Sequence, residues 1–424
     1  MFMCIILHRE HNLAMKNESL HQIQIRAHFI YRCKEYYLDY MLRQYKIRDY
    51  NFRLVLWLLV LSILGVLLVG SAESTLQFRQ LGGVILGLVV MVIVSLTDYS
   101  WIMNFYWIAY VGNILMLLLV IVVGSDAGGA TRWISIAGLR FQPVELTKII
   151  LIVFFSKYFM DTESNLNKPR SILRSLLLIG LPLFLVFSQP DLKNTLTIMA
   201  IFSILYYSAG LSYKIIISVI AAVVILAGVF MAIVTQPNQH LIREYQRQRI
   251  MAFLNPDEAE YTDDTTQQNN SVTAIGSGML TGKGLNNSDV SSANKGNFIS
   301  EIQTDFIFAV AGEELGFLGS CGIIILLLLI VLECLHMSTR AKDLSGKLVC
   351  CGVASNVALQ SFINIGVATR MLPNTGTPLP FVSYGLTSLV SLYIGMGMVL
   401  NVGLQEKIEL EEISHRRYPA HQEA

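Results

Sequence analysis

One acidic side chain stands where a polar segment of the chain gives way to an apolar one. Residues 275–304 are polar and rich in glycine, and from Asp305 onward the sequence becomes an apolar run long enough to enter a membrane. A carboxylate at the mouth of a membrane helix is suited to general-base chemistry on a substrate that is part lipid and part water-soluble. Asp305 is therefore the candidate catalytic base, and its alternative role is a plain helix cap.

A second set of charged residues lies in the segment 128–149. Glu145 and Lys148 are three residues apart in an apolar stretch that begins at Pro143, so the two side chains share one helix face. Ionisable groups inside a membrane span cost at least ~2.5 kcal/mol and usually pair or line a cavity. Two interpretations follow: a structural ion pair, or a cationic site in which Lys148 holds a phosphate.

Three arginines cluster at the start of another candidate segment. Arg243 lies just before an amphipathic stretch at 245–256 and Arg247 and Arg249 lie within it, and guanidinium groups match the oxygens of a diphosphate. A solvated or headgroup-binding face explains them equally well. The polar stretch that follows, 257–271, is predicted to be a loop.

Glycine and proline mark two irregular segments. The glycines of 276–284 do not have the spacing of a nucleotide-binding P-loop, so we predict a tight loop there. Three prolines with Gly376 and Gly385 in 369–385 predict a broken or re-entrant passage, which membranes tolerate where it is buried in protein or lines a cavity. Asp191 follows a proline between two apolar runs and is predicted to cap a helix.

Composition places the chain in the membrane. Its 424 residues are 54% hydrophobic and only 14% charged, and the mean hydropathy is +0.54. A net charge of +1 gives no signature of nucleic-acid binding. The six cysteines have neither disulfide nor zinc spacing, and the eight histidines do not build a metal site.

The fold class predicted from these windows is an all-α polytopic membrane protein with about ten transmembrane helices. A span needs about 20 apolar residues. We expect a cytoplasmic tail at 1–50, whose first forty residues precede a plausible start at Met41, and a second tail at 405–424. The transmembrane domain of 51–404 holds a large outer loop at 236–303. The predicted spans are 53–71, 79–97, 102–124, 143–161, 172–188, 192–210, 213–235, 304–337, 345–368 and 380–404.

Short-loop charges predict the orientation of this bundle. By the positive-inside rule, loops rich in lysine and arginine are cytoplasmic, which puts both termini inside and the Asp305 rim outside. The cytoplasmic charges are Lys157, Lys168, Arg170, Arg174, Lys214, Arg340, Lys342 and Lys347. The outer loops also carry cations, which either indicates an anionic ligand there or reflects a long loop that translocates regardless of charge. Those outer cations are Arg132, Arg140, Arg243, Arg247, Arg249 and Lys283.

Five motifs together resemble one known family of membrane proteins. The chain is similar, from about residue 48 to residue 404, to the shape, elongation, division and sporulation (SEDS) family, which includes RodA, FtsW and SpoVE. The motifs are QTDFIFAVAGEELGFLG (303–319), TRWISIAGLRFQPVELTK (131–148), SQPDL (188–192), AIGSGMLTGKG (274–284) and TGTPLPFVSYG (375–385).

The resemblance implies an activity and partners. SEDS proteins are bacterial cell-membrane glycosyltransferases that polymerise lipid II into β-1,4 glycan strands and work with a class B penicillin-binding protein, a transpeptidase. Other elongasome or divisome membrane proteins are expected partners, and a divalent cation, Mg or Mn, is a possible cofactor. The wording of 372–381 leans towards RodA, without separating elongation from division or sporulation.

The same resemblance assigns residues. Asp305 matches the essential aspartate of the family, while Arg132, Trp133, Glu145 and Lys148 match its outer-loop and fourth-helix motif. We add Glu301 as a helper or substrate contact, and Arg243, Arg247 and Arg249 as diphosphate ligands. Departures from the family pattern occur at Gln303, Ser300, Leu386 and Thr387.

Two rival functions remain open at this point. A ten-helix bundle with intramembrane charges is also compatible with a lipid II flippase or another transporter. A non-catalytic scaffold for a penicillin-binding protein is the third interpretation, and it predicts that Asp305 is dispensable.

Overall fold

The computed structural model describes most of the predicted transmembrane domain. The described residues are 50–127, 130–136, 139–215, 217, 228–229, 232–234, 236, 244–255, 262–286 and 299–405. Met41, Arg243, the rest of the N-terminal tail and almost all of the C-terminal tail lie outside them.

Helices make up nearly all of the regular structure in these residues. We number them α1 to α12 in chain order. Their bounds are α1 Phe52–Ala72, α2 Ser74–Leu96, α3 Tyr99–Met103, α4 Tyr106–Val123, α5 Pro143–Asp161, α6 Pro169–Ser188, α7 Leu192–Ser208, α8 Glu244–Leu254, α9 Thr262–Ser277, α10 Ile307–Arg340, α11 Leu344–Ala368 and α12 Leu386–Leu404. A short 3-10 turn, Glu163–Asn165, precedes α6.

Seven of these helices are long and apolar enough to cross a membrane: α1, α2, α4, α6, α10, α11 and α12. Helices α5 and α7 coincide with two further predicted spans, and most of the predicted span 213–235 lies outside the described residues. The prediction of an almost entirely helical multi-pass membrane protein is confirmed. The total of ten spans stays a prediction.

A small antiparallel sheet precedes α5, where the sequence predicted only a loop. It has the order β1-β2-β3, with β1 at Ser125–Ala127, β2 at Ala130–Ile136 and β3 at Leu139–Phe141. Trp133 pairs with Ser125, and Ser135 pairs with Arg140. The strands have three, seven and three residues, too few for an alternating pattern to stand out in the sequence. Their effect is to fix the segment that carries Arg132 above the start of α5.

The long helix α10 is broken at Gly316, whose φ of 68° and ψ of −165° are not helical. The glycine-rich loop fills the break: Phe317 N donates to Met279 O at 2.8 Å, and Lys283 N donates to Glu313 O at 3.0 Å. A Cβ at Gly278 would lie only 1.9 Å from a carbonyl oxygen of α10. The prediction of a tight glycine loop is confirmed for 278–284, while Gly276 lies in the last turn of α9. The break explains why α10 exceeds one crossing.

Part of the predicted outer loop is helical. The predicted amphipathic segment with Arg247 and Arg249 forms α8, as expected. The prediction of a loop across 257–271 is wrong from Thr262 onward, because α9 begins there. Gln268 and Ser271 of α9 donate hydrogen bonds to carbonyl oxygens at the end of α11, so tertiary contacts stabilise a helix that its polar composition did not indicate.

The passage between α11 and α12 has no regular secondary structure from residue 371 to residue 385, apart from turns and bends. Arg370, Gly376 and Phe381 all have left-handed φ angles, between 59° and 67°. The prediction of a broken passage is confirmed. Ser383 ties it to the segment before α10, since its hydroxyl accepts from Leu379 N at 2.7 Å and donates to Thr304 O at 2.6 Å.

A polar network joins the carboxyl ends of α2, α10 and α12. Gln405 Nε2 donates to Asp98 Oδ1 at 2.7 Å, and Tyr99 N donates to Asn401 Oδ1 at 2.9 Å. Lys342 Nζ donates to Gln405 and lies 4.9 Å from the centre of the Tyr99 ring. These contacts lock the ends of the helices together, far along the bundle from Asp305.

Candidate active site

Asp305 is the second residue before α10, and neighbouring segments hold its backbone from two sides. Its N–H donates to Glu301 O at 3.1 Å. Asn364 Nδ2, on α11, donates to Asp305 O at 2.9 Å and to Thr377 O at 2.7 Å, so one amide joins the aspartate to the irregular passage. Asp305 does not cap α10, whose N-cap residue, Phe306, makes no side-chain cap hydrogen bond.

The carboxylate of Asp305 faces Gly376 and Lys193. A Cβ added at Gly376 would lie 2.8 Å from Oδ2 of Asp305 and 3.7 Å from Nζ of Lys193, so both charged groups flank the same point. Lys193 Nζ also donates to the carbonyl oxygen of Gly376. Only a glycine allows the turn, at φ 67°, to approach the carboxylate this closely.

Further cations surround this acid. Burial raises the pKa of the Asp305 carboxyl above its usual value, while Lys193, Arg249 and Arg132 act in the opposite direction. Arg132 is fixed through its guanidinium, which donates to Pro190 O at 2.5 Å. The tertiary structure thus brings together an acid and three cations from β2, α7, α8 and the segment before α10.

Glu145 and Lys148 form a buried ion pair, with 2.9 Å between Oε1 and Nζ and with exposed fractions of 4% and 1%. Lys148 Nζ also lies 3.4 Å from Asn194 Oδ1 on α7, and Gln360 Nε2 of α11 lies 3.5 Å from Glu145 Oε2. The geometry favours the structural interpretation of this pair, because the lysine is enclosed. Binding of a phosphate by Lys148 stays a prediction.

Asp191 caps α7, as predicted: its side chain accepts from Asn194 N, and Oδ2 accepts from Asn194 Nδ2 at 2.8 Å. Asn194 therefore contacts both Asp191 and Lys148. This polar chain connects the start of α7 to the buried pair of α5, and it fixes the first turn of α7, on which Lys193 lies.

The other predicted substrate contacts have different surroundings. Trp133 is half-buried on β2, Arg247 is 8% exposed on α8, and Arg249 is half-buried on the same helix. Glu301 is exposed, has a φ of 52°, and accepts from Gln303 Nε2 at 3.1 Å. Their roles in binding stay predictions, and Arg243 lies outside the described residues.

Lys193 was missed by the sequence reasoning, although it directly follows the SQPDL motif. The signal was available, because a lysine two residues after a helix-capping aspartate in an apolar run raises the same question as Lys148. Only the fold shows which distant carboxylate it faces.

The described residues do not form a metal site of their own. No three or more histidine, cysteine, aspartate or glutamate side chains come together among them, and Asp305 has cations for neighbours. We therefore derive no step through a metal, and the use of Mg or Mn stays a prediction from the resemblance.

Comparison with known proteins identifies the family. The family described as cell cycle protein, FtsW/RodA/SpoVE, matches residues 50–408. The chain belongs to the FtsW/RodA/SpoVE family. This confirms the resemblance that the five motifs indicated, and it extends over the whole described bundle.

Named relatives come from both branches of the family. A probable peptidoglycan glycosyltransferase FtsW of Geobacter sulfurreducens is 32% identical over 378 residues, covering 85% of this chain and 97% of that protein. The peptidoglycan glycosyltransferase MrdB of Escherichia coli K12 is 31% identical over 358 residues, covering 84% of this chain and 94% of that protein. These identities do not separate an FtsW from a RodA.

Solved structures share the fold. A chain of a peptidoglycan synthase complex, described as coordinating polymerization and crosslinking, superposes with a TM-score of 0.70 at 26% identity and covers 84% of this chain and 97% of that one. The rod shape determining protein RodA of Thermus thermophilus superposes with a TM-score of 0.62 at 26% identity, covering 85% of this chain and 98% of that one.

Proposed function

We propose that this protein is a peptidoglycan glycosyltransferase that polymerises lipid II, with Asp305 as its general base. The observation that carries the proposal is the Asp305 carboxylate, placed before a membrane helix and surrounded by Lys193, Arg132 and Arg249. A base and several cations in one place fit a reaction that deprotonates a hydroxyl group and releases a diphosphate. Membership of the family, and the names of the relatives, support the same reaction.

The proposed step is an inverting displacement. Asp305 takes the proton from the 4-hydroxyl of the acceptor GlcNAc as that oxygen bonds to the anomeric carbon of the donor MurNAc. The bond from that carbon to the diphosphate oxygen breaks, and its electron pair leaves with the undecaprenyl diphosphate. The proton later passes from Asp305 to water, and the product is a β-1,4 link.

Negative charge grows on the leaving diphosphate, and the site offers groups to stabilise it. Arg132 and Arg249 present guanidinium forks of the kind that binds phosphate oxygens. Helices α5, α7, α10 and α12 all begin near the site, as the hydrogen bond from Gln142 N to Thr387 Oγ1 and the contacts of Lys193 indicate. Their amino-terminal dipoles favour an anion at this end of the bundle.

The site is proposed to face the outside of the cell. The loop between α5 and α6 and the loop between α10 and α11 carry the lysines and arginines of the positive-inside rule, and both loops lie at the helix ends opposite Asp305. Ser164→Cys and Ser277→Cys, each in a parent with its six cysteines replaced, test this. A membrane-impermeant thiol reagent should label Ser277→Cys alone in intact cells; labelling of Ser164→Cys alone would reverse the orientation.

The activity is tested with purified full-length protein and lipid II, by counting glycan strands on a gel. Asp305→Ala and Asp305→Asn should each lower the rate by at least ~10²-fold, because general-base help of this kind is worth ~10² to 10⁴. Asp161→Asn is the matched control, since Asp161 is an exposed aspartate that pairs with Lys157 at 2.7 Å. Undiminished polymerisation by Asp305→Asn would remove the base assignment.

The rival functions give different outcomes in the same preparation. A flippase would move labelled lipid II across proteoliposomes without forming strands, whether or not Asp305 is present. A scaffold would support growth with Asp305→Ala in place of the native protein. We further propose a class B transpeptidase as the partner, which co-purification from the native membrane would identify.

A further inference from the structure

Lys193 occupies an unfavourable place for a cation. It lies in the first turn of α7, directly after the N-cap Asp191 and Leu192. The amino end of a helix carries partial positive charge, so a lysine there is unfavourable unless something offsets it. The nearest acid in the chain, Asp191, already accepts hydrogen bonds from the backbone and side chain of Asn194.

The partner is the irregular passage before α12. Lys193 Nζ donates to the carbonyl oxygen of Gly376, which is 183 positions away in the sequence. The same turn touches the carboxylate, because the place of a Cβ on Gly376 is 2.8 Å from Oδ2 of Asp305. The ammonium group thereby joins α7 to the turn that lies against the acid.

Charged groups from several elements act on Asp305 and on Lys193. Towards Asp305 the cations are Lys193 first, then Arg249 from α8 and Arg132 from β2. Towards Lys193 the acids are Asp191, Asp305 and Glu145. The geometry agrees for Lys193, because its Nζ and the Asp305 carboxylate both lie within 4 Å of the place of a Cβ on Gly376.

We propose that Lys193 is the positioning residue of the general base: it holds the Gly376 turn against Asp305 and supplies the counter-charge of that carboxylate. This inference rests on the proposed function and names a residue that neither the motifs nor the family resemblance assigned. Lys193 acts through Asp305 and does not contact the substrate. Without it, a carboxylate in this enclosed site takes up a proton more readily, and less of the base is available at neutral pH.

The test is the pH dependence of polymerisation by full-length Lys193→Met and Lys193→Arg proteins. Lys193→Met should be roughly tenfold slower than wild type at neutral pH, which is less than the ~10²-fold or greater loss from removing the base. The acid limb of its pH–rate profile should move to higher pH, so that the rate partly recovers at alkaline pH. Lys193→Arg keeps the charge, so its acid limb should return to the wild-type pH.

Lys157→Met is the matched control, because Lys157 lies on α5 in an exposed pair with Asp161. Its acid limb should coincide with that of wild type. A constant fold-loss for Lys193→Met at every pH would show a purely structural role and overturn the proposal. So would a raised KM for lipid II with an unmoved limb, which is the result expected of a diphosphate ligand.

A second readout does not need activity. The infrared carboxyl band of Asp305, taken as the difference between wild type and Asp305→Asn, reports its protonation during a pH titration. The band should appear at higher pH in the Lys193→Met background than in the wild-type background, and an unshifted titration overturns the inference. If wild type makes no glycan while this titration shifts, the proposed function fails and the coupling of Lys193 to Asp305 stands.

Discussion

Asp98 and Asp305 lie at opposite ends of the helix bundle and are held in opposite ways. Asp98 caps α3, accepting from Ser100 N at 2.8 Å, and it also accepts from Gln405 Nε2 at 2.7 Å. Burial alone would raise its pKa, but these hydrogen bonds and the charge of Lys342 outweigh burial and lower the pKa of Asp98. Burial dominates at Asp305 and raises its pKa.

The difference separates a carboxylate that stabilises the fold from one that is available for chemistry. The ionised form of Asp98 has fixed donors, so it contributes to stability. The ionised form of Asp305 has cations nearby but is disfavoured overall, and a base with a raised pKa gains affinity for the proton that it must take. An acid that costs stability is retained where function requires it.

The backbone around the two aspartates differs as well. Asp98 lies between regular helices. Around Asp305, Glu301 and Phe381 have left-handed φ angles of 52° and 63° without being glycines. Such conformations cost of order 1 kcal/mol or more each and are found most often at functional sites. The end of the bundle with strained backbone is therefore also the end that carries the candidate active site.

Lowering the pH should separate the two aspartates most strongly. The rate of polymerisation should fall roughly tenfold for each pH unit below the raised pKa of Asp305, because the protonated acid cannot act as a base. Asp98 has a lowered pKa, so its contribution to stability is present above the pKa of an unfolded aspartate and disappears only as the pH falls through the lower, folded value. Parallel rate and thermal-unfolding measurements should find a pH range where the protein is folded and inactive.

If activity and the unfolding temperature fall together with pH, the comparison is wrong. Loss of activity would then follow from loss of the fold and not from protonation of Asp305.

Gly376→Ala should lower activity by about tenfold or more, since displacing a catalytic group by about 1 Å can cost up to ~10²-fold. The added Cβ would lie 2.8 Å from the Asp305 carboxylate. Gly210→Ala is the control: Gly210 has a φ of +98°, but its Cβ would meet no atom within 4 Å. Both variants carry the strain of a left-handed alanine, so only crowding of Asp305 distinguishes them.

Equal activity of the two alanine variants, after correction for folded protein, would show that the approach of the Gly376 turn to Asp305 has no catalytic importance.

The smallest expected effect is on thermal stability, and its sign differs between the two sites. Asp98→Asn should lower the free energy of unfolding by roughly 1 kcal/mol, because the amide oxygen still accepts these hydrogen bonds but without the charge that strengthens them. Asp305→Asn should raise the unfolding temperature slightly at neutral pH, since folding raises the pKa of Asp305 and its ionised form opposes folding. Unfolding in one detergent at one scan rate measures both. A fall for Asp305→Asn would mean that its charge stabilises the fold.

Much of this molecule could be predicted from local sequence. Apolar windows located the helices to within a few residues, since burial in lipid requires about 20 apolar residues wherever a helix crosses. Asp305 was found because a charge at the edge of such a window is costly. Prolines and glycines between α11 and α12 indicated an irregular passage for the same local reason.

The tertiary structure decided which of these local features meet. Helix α9 forms in a polar segment because α11 offers carbonyl oxygens to Gln268 and Ser271. Lys193 and Gly376 are adjacent only because α7 and the passage before α12 pack side by side. The sequence by itself determined the membrane helices and the acid, since hydrophobicity and charge are properties of each segment. The cation beside that acid depended on the fold, because contacts between distant residues leave no local pattern.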